Sequence, residues 1–162
     1  VMESINKDKI FIIYTANNCG ACKKFKSTQL KKTRELVSRI PGVKIVEKNL
    51  NVMGEDPGDS FHPDFRKSSD HYAKWYPGFY MFDTKDFFDH GSSLNGHVIG
   101  GIFKNGKQYQ VPENKYSYNA EDIHKWVLSI MEDNKIKKMT VDDDDDDDDV
   151  FEYYTQDWYL LF

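Results

Sequence analysis

Ile10-Phe11-Ile12-Ile13-Tyr14-Thr15, followed within a few residues by Cys19-Gly20-Ala21-Cys22, is the stretch that decides the fold. The first six residues are apolar, and β-branched or aromatic in type, which predicts a buried strand. From Lys23 to Ile40 there is no Gly or Pro, and Pro41-Gly42 follows, so the segment predicts one helix with a sharp stop. Cys19 therefore falls at a helix N-terminus. Unpaired backbone N–H groups and the positive end of the helix dipole stabilise a thiolate there. The thiolate is the form that attacks disulfides.

Cys19 and Cys22 are the only cysteines. A lone CxxC also reads as two buried structural thiols or as half of a zinc site. Tetrahedral zinc wants four ligands, and the chain offers no second cysteine pair. His62, His71, His90, His97 and His124 are scattered without metal-ligand spacing. No metal is expected.

Outward from this centre, Val43 to Leu50 alternates and is β-branched, predicting a second strand joined to the first through the helix as a parallel βαβ unit. Residues 54–63 are rich in Gly, Pro and Asp and predict a loop. Asp64 to Trp75 has the composition of a short helix. After Tyr76-Pro77-Gly78, Phe79 to Phe82 predicts a third strand. Asp83 to Asn95 reads as an excursion. Asn105-Gly106 between the runs Gly96–Phe103 and Lys107–Val111 is a hairpin signal. Asn119 is a candidate cap for a last helix with early acids Glu121 and Asp122. Its apolar residues Ile123, Trp126, Val127, Ile130 and Met131 recur at helical spacing, and its end is expected near Asp133-Asn134.

This order of elements resembles the thioredoxin family over roughly residues 5 to 134. The resemblance implies an α/β thioredoxin-like three-layer sandwich, with a mixed central sheet flanked by helices. It implies a protein-disulfide oxidoreductase with Cys19 as exposed nucleophile and Cys22 as buried resolving thiol. Asn18, Gly20 and Ala21 would form the active-site loop. Pro77 would be the family's cis-proline, with Tyr76 before it pairing its backbone with the substrate chain. No cofactor beyond the redox-active Cys19–Cys22 disulfide is implied.

The chain departs from that pattern at two places. Asn18 stands where thioredoxins have Trp, and Ile13 where they bury an acid that helps deprotonate the resolving thiol. Glu47 is a candidate substitute base, against the favoured reading of a solvated strand-edge Glu. The dipeptide Gly20-Ala21 carries no charge, which predicts a reducing pair, nearer about −270 mV than the ~ −120 mV of strong oxidants. Gly100-Gly101 is faintly similar to the glycine pair of glutaredoxins, but a strand rather than a helix is expected after it, and no Thr-Val-Pro occurs. Glutathione specificity is disfavoured.

Composition sets further bounds. The chain has 162 residues, enough for one domain with its own core. No run of 18 apolar residues occurs, so no transmembrane helix is expected. The start, Val1-Met2-Glu3, lacks an apolar signal region, although a leader could have preceded Val1, and two cysteines suit a reducing compartment. A cytoplasmic protein is expected. Asn, Lys, Tyr, Ile and Phe are abundant, which suits an AT-rich genome. Large cytoplasmic DNA viruses carry similar thioredoxin-like proteins, some in virions, so a viral and virion-associated origin is among the expectations.

The net charge of −5 hides two parts. Residues 1–140, the expected domain, hold 22 basic and 17 acidic side chains, a net of +5. Residues 141–162 hold ten acids and no base, including the run Asp142 to Asp149. Eight like charges predict a disordered spacer. It leads to Phe151–Phe162, rich in aromatics and leucines. That tail reads as a docking motif for a partner's groove, or as an arm that packs on its own domain. Expected partners are protein disulfide or dithiol substrates and a reductase or thiol donor. Membranes and nucleic acid are disfavoured. The competing reading is a thioredoxin-fold binding module with little turnover.

Overall fold

A computed structural model of the chain describes residues 8–59, 61–65 and 75–142, with side chains described through 133. The expected spacer and tail, residues 141–162, lie outside the described residues from 143 on, as does most of the segment read as a helix, residues 66–74.

Strand β1 (Lys9–Ala16) pairs in parallel with β2 (Val43–Leu50), Lys9 opposite Val43 through Ala16 opposite Leu50. Helices α1 (Gly20–Thr28) and α2 (Leu30–Ser38) make the crossover. Strands β3 (Gly78–Asp83), β4 (Gly96–Val98), β5 (Gly101–Lys104) and β6 (Lys107–Gln110) add antiparallel neighbours. The result is a six-stranded mixed sheet in the order β2-β1-β3-β4-β5-β6. A short helix α3 (Thr84–Phe88) follows β3, and α4 (Ala120–Asp142) closes the described chain.

The unbroken apolar run of β1 follows from burial on both faces. Phe11 and Ile13 pack with Phe25 of α1, Val37 of α2, and Ile123, Trp126, Val127 and Ile130 of α4. Ile10, Ile12, Tyr14 and Ala16 point the other way, into a cluster with Phe61, Phe65, Tyr80, Phe82, Phe87, Phe103 and both cysteines. Phe65 is the hub of that face, its ring 5.2 to 6.1 Å from those of Tyr14, Phe61, Tyr80, Phe82, Phe87 and Phe103.

Four sequence expectations need correction. The helix expected from Lys23 to Ile40 begins at Gly20 and breaks at Gln29 (φ −123°, ψ −23°). The Gln29 side-chain oxygen accepts the Ala120 N–H at 2.9 Å, so this residue leaves its helix to satisfy the start of α4. The run Gly96–Phe103 is two strands, because Gly100 turns the chain at φ +92°. The excursion after β3 contains α3, started by Asp83, whose carboxylate accepts the Lys85 N–H. Finally, α4 runs past Asn134 to Asp142. One Asn costs a helix only about 0.7 kcal/mol, and the Lys, Ile and Met that follow propagate it.

The hairpin forms as expected. Asn105 (φ 52°) and Gly106 (φ 80°) make the two-residue turn between β5 and β6. Gly106 is required on a second ground, since a Cβ there would lie 2.7 Å from the Asp64 carboxylate. Asp64 is buried and accepts the Leu94 N–H at 2.8 Å, and Leu94 O accepts the Gly106 N–H.

His62 is 1% exposed, and its Nδ1 accepts the Asp64 N–H at 3.1 Å. Burial pushes its imidazole below the ordinary value, with His90 adding to the push and the Asp64 carboxylate, 3.9 Å away, opposing it. The unfolded chain then takes up a proton near pH 6.5 that the folded chain refuses, so stability falls as pH drops through and below that value. The melting midpoint should decline between pH 7 and pH 5. His62→Asn, whose oxygen can keep the Asp64 bond without titrating, should flatten that decline. Parallel curves for both proteins would contradict the assignment.

Candidate functional site

The chain leaves β1 at Ala16, and Asn17 N–H donates to Leu50 O at 2.9 Å as the turn begins. Cys19 is extended (φ −112°, ψ 112°) and caps α1: its Sγ accepts the Cys22 N–H at 3.1 Å. A cysteine sulfur thus occupies the place of a capping oxygen, at the positive end of a nine-residue helix. Cys19 and Cys22 are joined as a disulfide, with Cα atoms 5.2 Å apart. Gly20 and Ala21 are exposed, and a Cβ on Gly20 would meet nothing within 4 Å, so this side of the loop is open. Cys22 is fully buried and Cys19 is 5% exposed. The expected exposed cysteine is therefore nearly covered, and the open side of its loop is at Gly20.

The Tyr76–Pro77 bond is cis. Gly78 pairs with Tyr14, which sets Pro77 at the end of the sheet from which Cys19 departs. Tyr76 is half-buried, packs against the cluster that holds both cysteines, and lies 5.7 Å from the Tyr14 ring. Burial raises its phenol above the usual value.

A feature not visible in the sequence is the way the loop after β2 is held. Met53 N–H donates to the Asn18 side-chain oxygen at 2.9 Å, and Gly54 N–H donates to the Tyr76 hydroxyl at 3.0 Å. Behind it, Thr15 Oγ1 (2.8 Å) and Lys26 Nζ (2.5 Å) donate to Asn49 Oδ1, and Asn49 Nδ2 donates to Asn17 Oδ1 at 2.7 Å. Val52 and Met53, 50% and 45% exposed, are held beside the redox loop as an apolar lip. Asn18 is thus a loop clamp. Asn18→Ala should cost about 1 kcal/mol of stability at most. For the oxidoreductase expected from the sequence, it should slow exchange with protein disulfides several-fold while leaving a small disulfide unaffected. Equal slowing of both would contradict this.

Ile13 is buried among apolar groups. Glu47, the candidate base, is committed to Arg34 in a two-pronged ion pair at 2.5 and 2.7 Å, which raises the guanidinium above its usual value. It is not poised as a base for Cys22. Among the described residues, no three His, Cys, Asp or Glu side chains are grouped to hold a metal. No helix among them is long and apolar enough to cross a membrane.

No family model matches the chain, and no curated protein matches it. A CxxC pair closed as a disulfide, in a mixed α/β sheet, fits a redox fold.

Proposed function

We propose that the chain is a thioredoxin-like thiol-disulfide oxidoreductase acting on protein substrates. The observation that carries this reading is the sulfur of Cys19 capping α1 while bonded to Cys22. In the dithiol state the same Cys22 N–H and helix dipole would stabilise a Cys19 thiolate. That thiolate attacks a substrate disulfide, forming one S–S bond and expelling one substrate thiolate. Cys22, deprotonated, then attacks Cys19 Sγ, closing the protein disulfide and releasing the second substrate thiolate. Two electrons pass to the substrate, and a thiol donor must return them. Run backwards, the cycle oxidises a dithiol, and the compartment sets the direction.

Asn18, Gly20 and Ala21 shape the mouth of the site, and Tyr76 with cis-Pro77 would receive the substrate backbone as an added strand. The work fits a reducing compartment such as the cytoplasm. Loss of the family's acid at Ile13 and the cover over Cys19 favour a second reading, a binding module with little turnover. Reduction of insulin by the reduced protein separates the two. Precipitation of the B chain well above the thiol background supports the oxidoreductase, and a rate at background sinks it.

A further inference from the structure

At the end of the sheet that carries the redox loop lies a pocket of about 540 Å³ that the exchange chemistry leaves unused. Among the described residues, its walls include Trp75, Ile99, Gly100, Lys115, Tyr116 and Tyr118. We infer that it is a side-chain subsite for the disulfide-bearing substrate, taking an aromatic residue with a carboxylate next to it. The inference rests on the proposed function and names its substrate class.

Position is the first argument. The pocket sits at the turn between β4 and β5, and Val98 pairs with Tyr80 and with Gly101. This is the end of the sheet from which Cys19 departs. Neighbouring strands lie about 4.8 Å apart, so two to three steps from β1 put the pocket roughly 10–15 Å from the redox loop. An extended chain covers that in about three to four residues at ~3.3 Å each. The path passes Tyr76-Pro77, directly joined to Trp75.

Rigidity is the second. Trp75 lies against Gly100, where a Cβ would meet the indole at 3.4 Å, and its Nε1–H donates to Ile99 O at 3.2 Å. Tyr118 is 38% exposed and its ring lies 5.4 Å from Phe79, which in turn lies 5.0 Å from Phe25 of α1. Two aromatic walls are thus fixed before any ligand arrives, which suits an aromatic side chain. Charge is the third. Lys115 is exposed and is the one charged group lining the pocket among the described residues, in a domain of net +5. An acidic neighbour complements it.

The test uses disulfide-linked peptides carrying Phe-Glu, Ala-Glu or Phe-Lys three residues from the cysteine, with bis(2-hydroxyethyl) disulfide as an uncharged probe lacking both. Second-order rates with the full, reduced chain should favour the Phe-Glu peptide by about tenfold. Tyr118→Ala should remove the aromatic preference. Lys115→Glu, on an exposed side chain, should shift preference to Phe-Lys. Neither should change the rate with bis(2-hydroxyethyl) disulfide. Equal rates for all three peptides would overturn the inference while leaving the oxidoreductase intact. No exchange with any disulfide would remove both. If Trp158→Ala or Tyr159→Ala in the full chain raises the peptide rates several-fold, the pocket belongs to the chain's own C-terminal segment. A dimer that Lys115→Glu dissociates would give it to a second copy. Either result overturns the inference.

Discussion

Cys19→Ser is expected to reduce disulfide exchange to background, a loss on the order of 10³-fold or more, as for removal of other covalent nucleophiles. Serine keeps an oxygen in the capping position, so the start of α1 survives and the loss is chemical. Cys22→Ser should behave differently. Cys19 still attacks, but nothing expels the substrate, and the mixed disulfide accumulates. Intact mass should show one substrate added to Cys22→Ser and none to Cys19→Ser. The proposed roles rest on position: Cys19 caps the helix over an open Gly20, while Cys22 is fully buried one turn in. Adducts on both variants in equal amount would contradict the assignment.

Trp126→Ala is expected to cost about 4 kcal/mol, since it empties an indole-sized volume in the core. Trp126 is fully buried, 6.3 Å from the Phe11 ring, and joins α4 to the sheet. For a chain of this size the melting midpoint should fall by about 10 °C. Trp126→Phe should cost much less. Among the described residues, the Nε1–H of Trp126 has no hydrogen-bond partner in its buried site, and an unmet donor costs about 1–3 kcal/mol. Losing that donor offsets part of the lost packing. Thermal melts of both variants check this, and similar costs for Ala and Phe would contradict it.

Much of the architecture was legible because it depends on local pattern. The bounds of β2 are those read from its alternation, and α4 starts at the Asn119 cap, which accepts the Asp122 N–H. The Asn105-Gly106 turn needed only its two residues. What the sequence hid depends on distant partners. Nothing near Gln29 says that it will cap a helix 91 residues away. The split at Gly100 comes from a backbone at φ +92°, which a Gly permits but does not dictate. By contrast, Asp83 before Thr84 was a visible cap signal for α3. At the site, the CxxC and Tyr76-Pro77 were readable from motif and order. The clamp of Asn18 and Tyr76 on Met53 and Gly54 was not, because it joins side chains to backbone N–H groups of a loop with no pattern of its own.

The central claim is that Cys19 and Cys22 form a functional dithiol–disulfide couple. Equilibrating the full chain in graded glutathione buffers at pH 7, and reading the closed fraction by mass after acid quench and alkylation, tests it most directly. The account predicts one two-electron transition with a reducing midpoint, nearer about −270 mV than −120 mV. A pair that stays open as a dithiol across the whole series would contradict it.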